Sequence, residues 1–153
     1  MQAERSLRSQ LAAQQLIADS ENAFLDITLP DAKGQMQSLS QYRGKVIVLD
    51  FSSTEMEQYV AYNFELRELY NQYHKQGLEI YSVGIERNLL AWEEATENLP
   101  WLTVRALDNE ITEVLTRYNV QSLPTLFLFD KEGNVQGRYT DFTALEADIN
   151  KYL

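Results

Sequence analysis

Three hydroxyl side chains, Ser52, Ser53 and Thr54, stand between an apolar run and a long amphipathic stretch in VIVLDFSSTEMEQYVAYNFELRELY. A strand that enters a helix through a short loop is a common place for a nucleophile. A serine or threonine hydroxyl becomes one only beside a general base and an oxyanion site. The chain has one histidine, His74, and no Gly-x-Ser-x-Gly sequence at this loop. A Ser-His-Asp hydrolase is therefore unsupported. The cysteine count is zero, so no disulfide, thiolate nucleophile or cysteine metal site can form, and the redox compartment cannot be read from it. Asp108 and Asp130 lie beside turns without calcium-loop spacing. No metal and no cofactor is assigned.

The elements that must position this loop follow from periodicity. Residues 46–51 are nearly all apolar, as in a central strand covered on both faces. After the loop, Tyr59, Tyr62, Leu66, Leu69, Tyr70 and Tyr73 recur at three- and four-residue steps, which predicts a helix that Gly77 ends. Strands are expected at 79–85, 102–107, 125–129 and 135–139, and helices at 90–97, 110–118 and 143–153. Lys131-Glu132-Gly133-Asn134 reads as a hairpin turn. Earlier, Leu25, Ile27 and Leu29 alternate with polar residues, Pro30 to Gly34 turns the chain, and residues 35–38 pair back as a hairpin. Residues 3–18 carry Leu7, Leu11 and Leu16 at helical spacing. Alternating strands and helices closed by a hairpin and a helix indicate an α/β domain, a mixed central sheet flanked by helices with an N-terminal β-hairpin extension. Residues 1–22 are read as a helical linker and 23–153 as the domain.

The chain has 153 residues and 44% hydrophobic content, enough for one core. Its formal net charge of -10 disfavours nucleic acid and anionic membrane surfaces as partners. No apolar run approaches the roughly 20 residues of a membrane span, so direct insertion of this chain is not expected. No signal-peptide pattern is visible at the N-terminus. Trp92 and Trp101 have no basic residues clustered with them and read as packing residues rather than stacking platforms.

Four stretches in this order, LPDAKGQMQSLSQYRGKVIVLDF, LRELYNQYHKQGLEIYSVGIE, LPW and YNVQSLPTLFLFDKEGNV, give the chain a family likeness. It resembles the TlpA/ResA type of thioredoxin-like thiol-disulfide oxidoreductase, within the redoxin and AhpC/TSA superfamily. The resemblance covers about residues 24–153 and implies a thioredoxin-like fold. It also implies a tryptophan and a Cys-x-x-Cys motif at the loop after the first buried strand. Here Glu55 replaces the tryptophan, and Met56 and Tyr59 occupy the two cysteine positions. Dithiol exchange needs a thiolate and a resolving thiol. A thioether does not ionise and a phenol forms no disulfide, so catalytic residues of the family type are absent.

The resemblance further implies a cis Leu123-Pro124 bond facing this loop, with the neighbouring backbone able to pair with an extended segment. The candidate binding groove is thus Thr54, Glu55, Met56, Tyr59, Leu123, Pro124 and Thr125. Its expected partner is an extended peptide or an envelope protein, at an extracytoplasmic location that rests on the resemblance. The alternative is a structural C-terminal domain of a larger envelope protein, fused to an upstream domain; thiol-disulfide oxidoreductase activity of the family type ranks last. Locally, Thr54 and Glu57 have capping-box spacing, so a helix is expected to start there with Glu55 and Glu57 in its first turn. Tyr59 is expected to fill space left by Ser52 and Ser53.

Overall fold

The computed structural model describes residues 25–153; the linker at 1–22 and the helix expected over 3–18 lie outside the described residues. A five-stranded sheet has the order β5-β4-β3-β6-β7. Its strands are β3 (Val46–Ser52), β4 (Leu78–Gly84), β5 (Leu102–Arg105), β6 (Thr125–Phe129) and β7 (Val135–Tyr139). A separate hairpin of β1 (Thr28–Pro30) and β2 (Met36–Ser38) precedes them. Among the described residues four α-helices accompany the sheet: α1 (Tyr59–Tyr73), α2 (Leu89–Thr96), α3 (Ile111–Arg117) and α4 (Thr143–Tyr152). The sheet is mixed: β3 runs parallel to β4 and antiparallel to β6.

All seven residues of β3 are buried, which explains why its sequence is apolar except at Asp50 and Ser52. Alternation along the strand sends Ile47, Leu49 and Phe51 to one core, with Tyr81, Val83, Tyr118 and Phe127. Val46 and Val48 face the other core, with Leu66, Leu69 and Tyr73 of α1 and Leu145 and Ile149 of α4. Each fully buried aliphatic or aromatic side chain contributes roughly 1.5–3 kcal/mol of transfer free energy. Both cores therefore hold the central strand in register.

The second face changes character at its end. Asp50 and Ser52 follow Val46 and Val48 on the same side by the two-residue period, and Ser82 follows Leu78 and Ile80 on β4; all three are buried. A polar cluster thus lies beneath the start of α1, where the apolar pattern would have continued.

Two turns are built alike. Asp31 Oδ1 accepts from the Lys33 and Gln35 amides at 2.9 and 3.0 Å, and Asp130 Oδ1 accepts from the Glu132 and Asn134 amides at 3.0 Å each. Such aspartates bond to the backbone of their own turns. α1 passes into a short 3-10 turn, His74–Gln76, and stops at Gly77, whose φ of +110° is open to glycine at little cost.

Candidate functional site

The sheet register assembles the site. Phe51 pairs with Thr125 and Ser52 with Gly84. The loop after β3, the loop after β4 and the approach to β6 therefore leave the sheet at the same end of its strands. The Leu123-Pro124 peptide bond on that approach is cis. Between these segments lies a groove of about 560 Å³, lined by Ser53, Glu55, Met56, Ile85, Arg87, Ile111 and Leu123.

Among the residues singled out from sequence, Glu55, Met56 and Leu123 meet in this groove. Pro124 lies half-buried next to Leu123. Thr125 is buried, and its hydroxyl donates to the Ser122 carbonyl at 2.7 Å. Thr54 and Tyr59 turn elsewhere. Ile85, Arg87 and Ile111, which no local pattern marks, supply the rest of the lining; they come from segments beyond β4 and β5 that only the fold brings alongside.

The expected capping box does not form. α1 begins at Tyr59, after a Gln58 N-cap without a side-chain bond, and its first turn holds no acidic residue. The Thr54 hydroxyl donates instead to Glu86 Oε2 at 2.8 Å, and the Thr54 amide donates to Glu86 Oε1. Glu86 is 2% exposed. A buried carboxylate left without donors costs far more than an uncapped helix start open to water, so Thr54 serves Glu86. The chain then steps toward the helix through two turns, with the Met56 amide on the Ser53 carbonyl and the Tyr59 amide on the Met56 carbonyl, each 3.1 Å.

Asp50, unmarked in the sequence reading, sits at the centre of the polar cluster. It is 1% exposed and accepts from the Tyr62 hydroxyl, from Ser82 Oγ at 2.7 Å and from Ser52 Oγ at 3.1 Å. Ser82 Oγ in turn accepts from Trp101 Nε1 at 2.9 Å. Burial pushes the Asp50 carboxyl up to about 6, against the lowering effect of its three hydroxyl donors. Burial and the adjacent Asp50 push the Tyr62 phenol up as well. The one visible signal was a lone aspartate inside a run buried on both faces.

Tyr59 lines a separate polar cavity of about 20 Å³ together with Asp50, Ser52, Ser82, Glu86 and Trp92, room for one water. Burial is the main cause raising its phenol above the usual value; the Asn63 hydrogen bond opposes this, and Asp50 and Glu86 add to it. The phenol therefore stays protonated near neutral pH. Trp92 presses on this cavity so closely that a Cβ on Gly84 would lie 2.6 Å from the indole Cδ1 and Nε1. No group of three or more histidine, cysteine, aspartate or glutamate side chains among the described residues is arranged to hold a metal ion. No helix there is long and apolar enough to cross a membrane.

Residues 44–135 match the family model described as thioredoxin-like. The chain belongs to the thioredoxin-like family. It is 38% identical over 131 residues to the thiol-disulfide oxidoreductase ResA of Geobacillus kaustophilus, covering 84% of this chain and 72% of that protein. Among solved structures, an uncharacterized thioredoxin-like protein from Bacteroides vulgatus has a TM-score of 0.75 and 35% identity, with 84% of each chain covered. The thioredoxin domain of a Bacteroides vulgatus thiol-disulfide oxidoreductase has a TM-score of 0.77 and 26% identity, covering 84% of this chain and 94% of that one.

The chain is thus a domain of the thioredoxin-like thiol-disulfide oxidoreductase family with zero cysteines. The two positions that the resemblance assigns to the family's cysteines have also parted company. Met56 faces the groove, where it also packs on the core beneath α1. Tyr59 faces the small cavity on the other side. Neither a thioether nor a phenol can form the disulfide of dithiol exchange.

Proposed function

We propose that this thioredoxin-like domain is redox-inactive and binds an extended peptide or protein segment in the groove beside the former active-site loop. The observation that supports this reading is the groove itself. Met56, Ile85, Ile111 and Leu123 give it an apolar floor, and Glu55 and Arg87 give it charges of opposite sign. An apolar side chain of the bound segment would seat on the floor while its backbone runs past Leu123, so that strand-like pairing supplies affinity and the floor supplies selection. Thiol exchange is not available to the chain alone, since neither a thioether nor a phenol can form the mixed disulfide.

An array of extended peptides, probed with the wild-type chain and with Met56→Asp, tests the reading. Peptides held by the wild type should bind the variant about tenfold more weakly or worse, because a carboxylate replaces part of the apolar floor. Equal binding by both proteins, or an empty array, would defeat the reading. Catalysis of disulfide exchange by the purified chain would defeat its redox-inactive part.

A second reading, a packing or assembly domain of a larger protein, is favoured by the similarity to a structure that is the thioredoxin domain of a larger oxidoreductase. An empty array would move weight to it. The kinship with ResA supports an extracytoplasmic, envelope location, which fractionation of cells expressing the full reading frame would test.

A further inference from the structure

A second cleft, of about 820 Å³, lies apart from this groove, between the β1–β2 turn and α2. That volume falls within the roughly 300–1,000 Å³ typical of ligand sites. Its apolar surface comes from Leu90, which is 62% exposed, and from Leu99, Trp101 and Leu102. Its acidic side is Glu93, Glu94 and Glu97.

The side chain of none of these three glutamates has a hydrogen bond or ion pair among the described residues. Asp31, on the opposite wall, is already committed to its own turn and to Gln37 Nε2 at 3.0 Å. Lys33 is the only cation lining the cleft among the described residues.

The placement of the three works against the helix that carries them. Glu93 and Glu94 lie in the last turn of α2 and Glu97 is its C-cap, with no basic residue in that turn. The carbonyl end of a helix repels carboxylates, and like charges four residues apart repel each other. The neighbouring helices follow the favourable order. α3 has Glu113 in its first turn and Arg117 in its last, and α4 has Glu146 first and Lys151 last. Among the described helices only α2 collects unpaired acids at its negative end, and it does so along an apolar cleft.

We propose that this cleft binds a cationic polypeptide segment in which an apolar side chain is flanked by Lys or Arg. The apolar side chain would cover Leu90, Leu99 and Leu102, and the flanking cations would pair with Glu93, Glu94 and Glu97. Charge complementarity selects this occupant. A divalent ion would leave the apolar surface uncovered, and an anionic segment would be repelled. The proposal is independent of the groove at Met56.

The test is fluorescence anisotropy of the labelled peptides KKLLKK and KKSSKK on the full chain at about 0.1 M salt, where surface charges still act within about 10 Å. KKLLKK should bind, and KKSSKK should bind several-fold more weakly, in line with the lost apolar contact. The Glu93→Lys/Glu97→Lys variant should weaken KKLLKK by about tenfold or more, whereas the charge-matched Glu65→Lys/Glu68→Lys variant on α1 should weaken it far less. Leu90→Ser, at an exposed site that leaves the core untouched, should also weaken it. Equal losses in the two charge variants would reduce the effect to net charge and overturn the proposal. Equal binding of KKSSKK, or of a polyamine, would overturn the apolar part and with it the segment. No binding of KKLLKK would overturn it outright.

Discussion

Five carboxylates near one end of the sheet fall into two groups that the fold treats in opposite ways. Asp50 and Glu86 are buried, and donors from β3, β4, α1 and the loop after β3 converge on them. Glu93, Glu94 and Glu97 stand along an open cleft without partners at the end of a helix that repels them. In the first group every donor has a stability reason, because an unpaired charge in the core would cost several kcal/mol. The second group has no such reason. Folding explains where the buried acids are; along the open cleft it supplies half-buried Glu93 and exposed Glu94 and Glu97 with no partner, and the proposed cationic segment would be one.

The sharpest test of the buried group is the pH dependence of stability. Asp50 titrates at about 6 in the folded chain against 3.8 without burial. Below pH 3.8 both states hold the proton and this group's stabilisation of the fold is complete. As pH rises toward 6 the unfolded chain gives up the proton while the folded chain keeps it, so stability falls; above 6 the loss is complete. At about 1.4 kcal/mol per pH unit, the loss amounts to roughly 3 kcal/mol. Urea denaturation of wild type and Asp50→Asn from pH 4 to 8 should show this decline in the first protein and its absence in the second. Parallel curves would remove Asp50 as the source and weaken the contrast with the exposed acids.

Next in size is Glu86→Ala, which strands the Thr54 amide and hydroxyl in a half-buried loop and should cost about 1–3 kcal/mol. Because that loop carries Met56, the same change should also weaken any peptide held in the groove. An unchanged denaturation midpoint would mean that water replaces the carboxylate at no cost, and that Glu86 belongs with the exposed acids after all.

How far sequence alone reached depends on the range of the interactions. The buried run of β3, the alternation in the first hairpin and the turns headed by Asp31 and Asp130 are local, and the structure has each of them. The start of α1 was misplaced because Thr54 and Glu57 satisfy a local rule that a partner from beyond β4, Glu86, overrides. Asp50 was visible as one acid in an apolar strand, although periodicity weighs the run and passes over the exception. Ile85, Arg87 and Ile111 carried no local signal, since their place in the groove is a property of strand order. Met56 and Tyr59, read as neighbours in one groove, face different spaces, because a turn separates Met56 from the first residue of α1.

The smallest effect has the opposite sign and tests the exposed group. Glu97→Lys places a cation at the C-terminal end of α2 and removes its repulsion of Glu93, so it should raise stability by a few tenths to about 1 kcal/mol at low ionic strength. At about 1 M salt, where screening reaches within about 3 Å, most of that gain should vanish. Denaturation at the two salt concentrations measures it. A gain would mean that the natural glutamate weakens the fold, as residues held for binding often do. A loss would instead reveal a stabilising partner for Glu97, and the two groups of carboxylates would then differ only in how deeply they are buried.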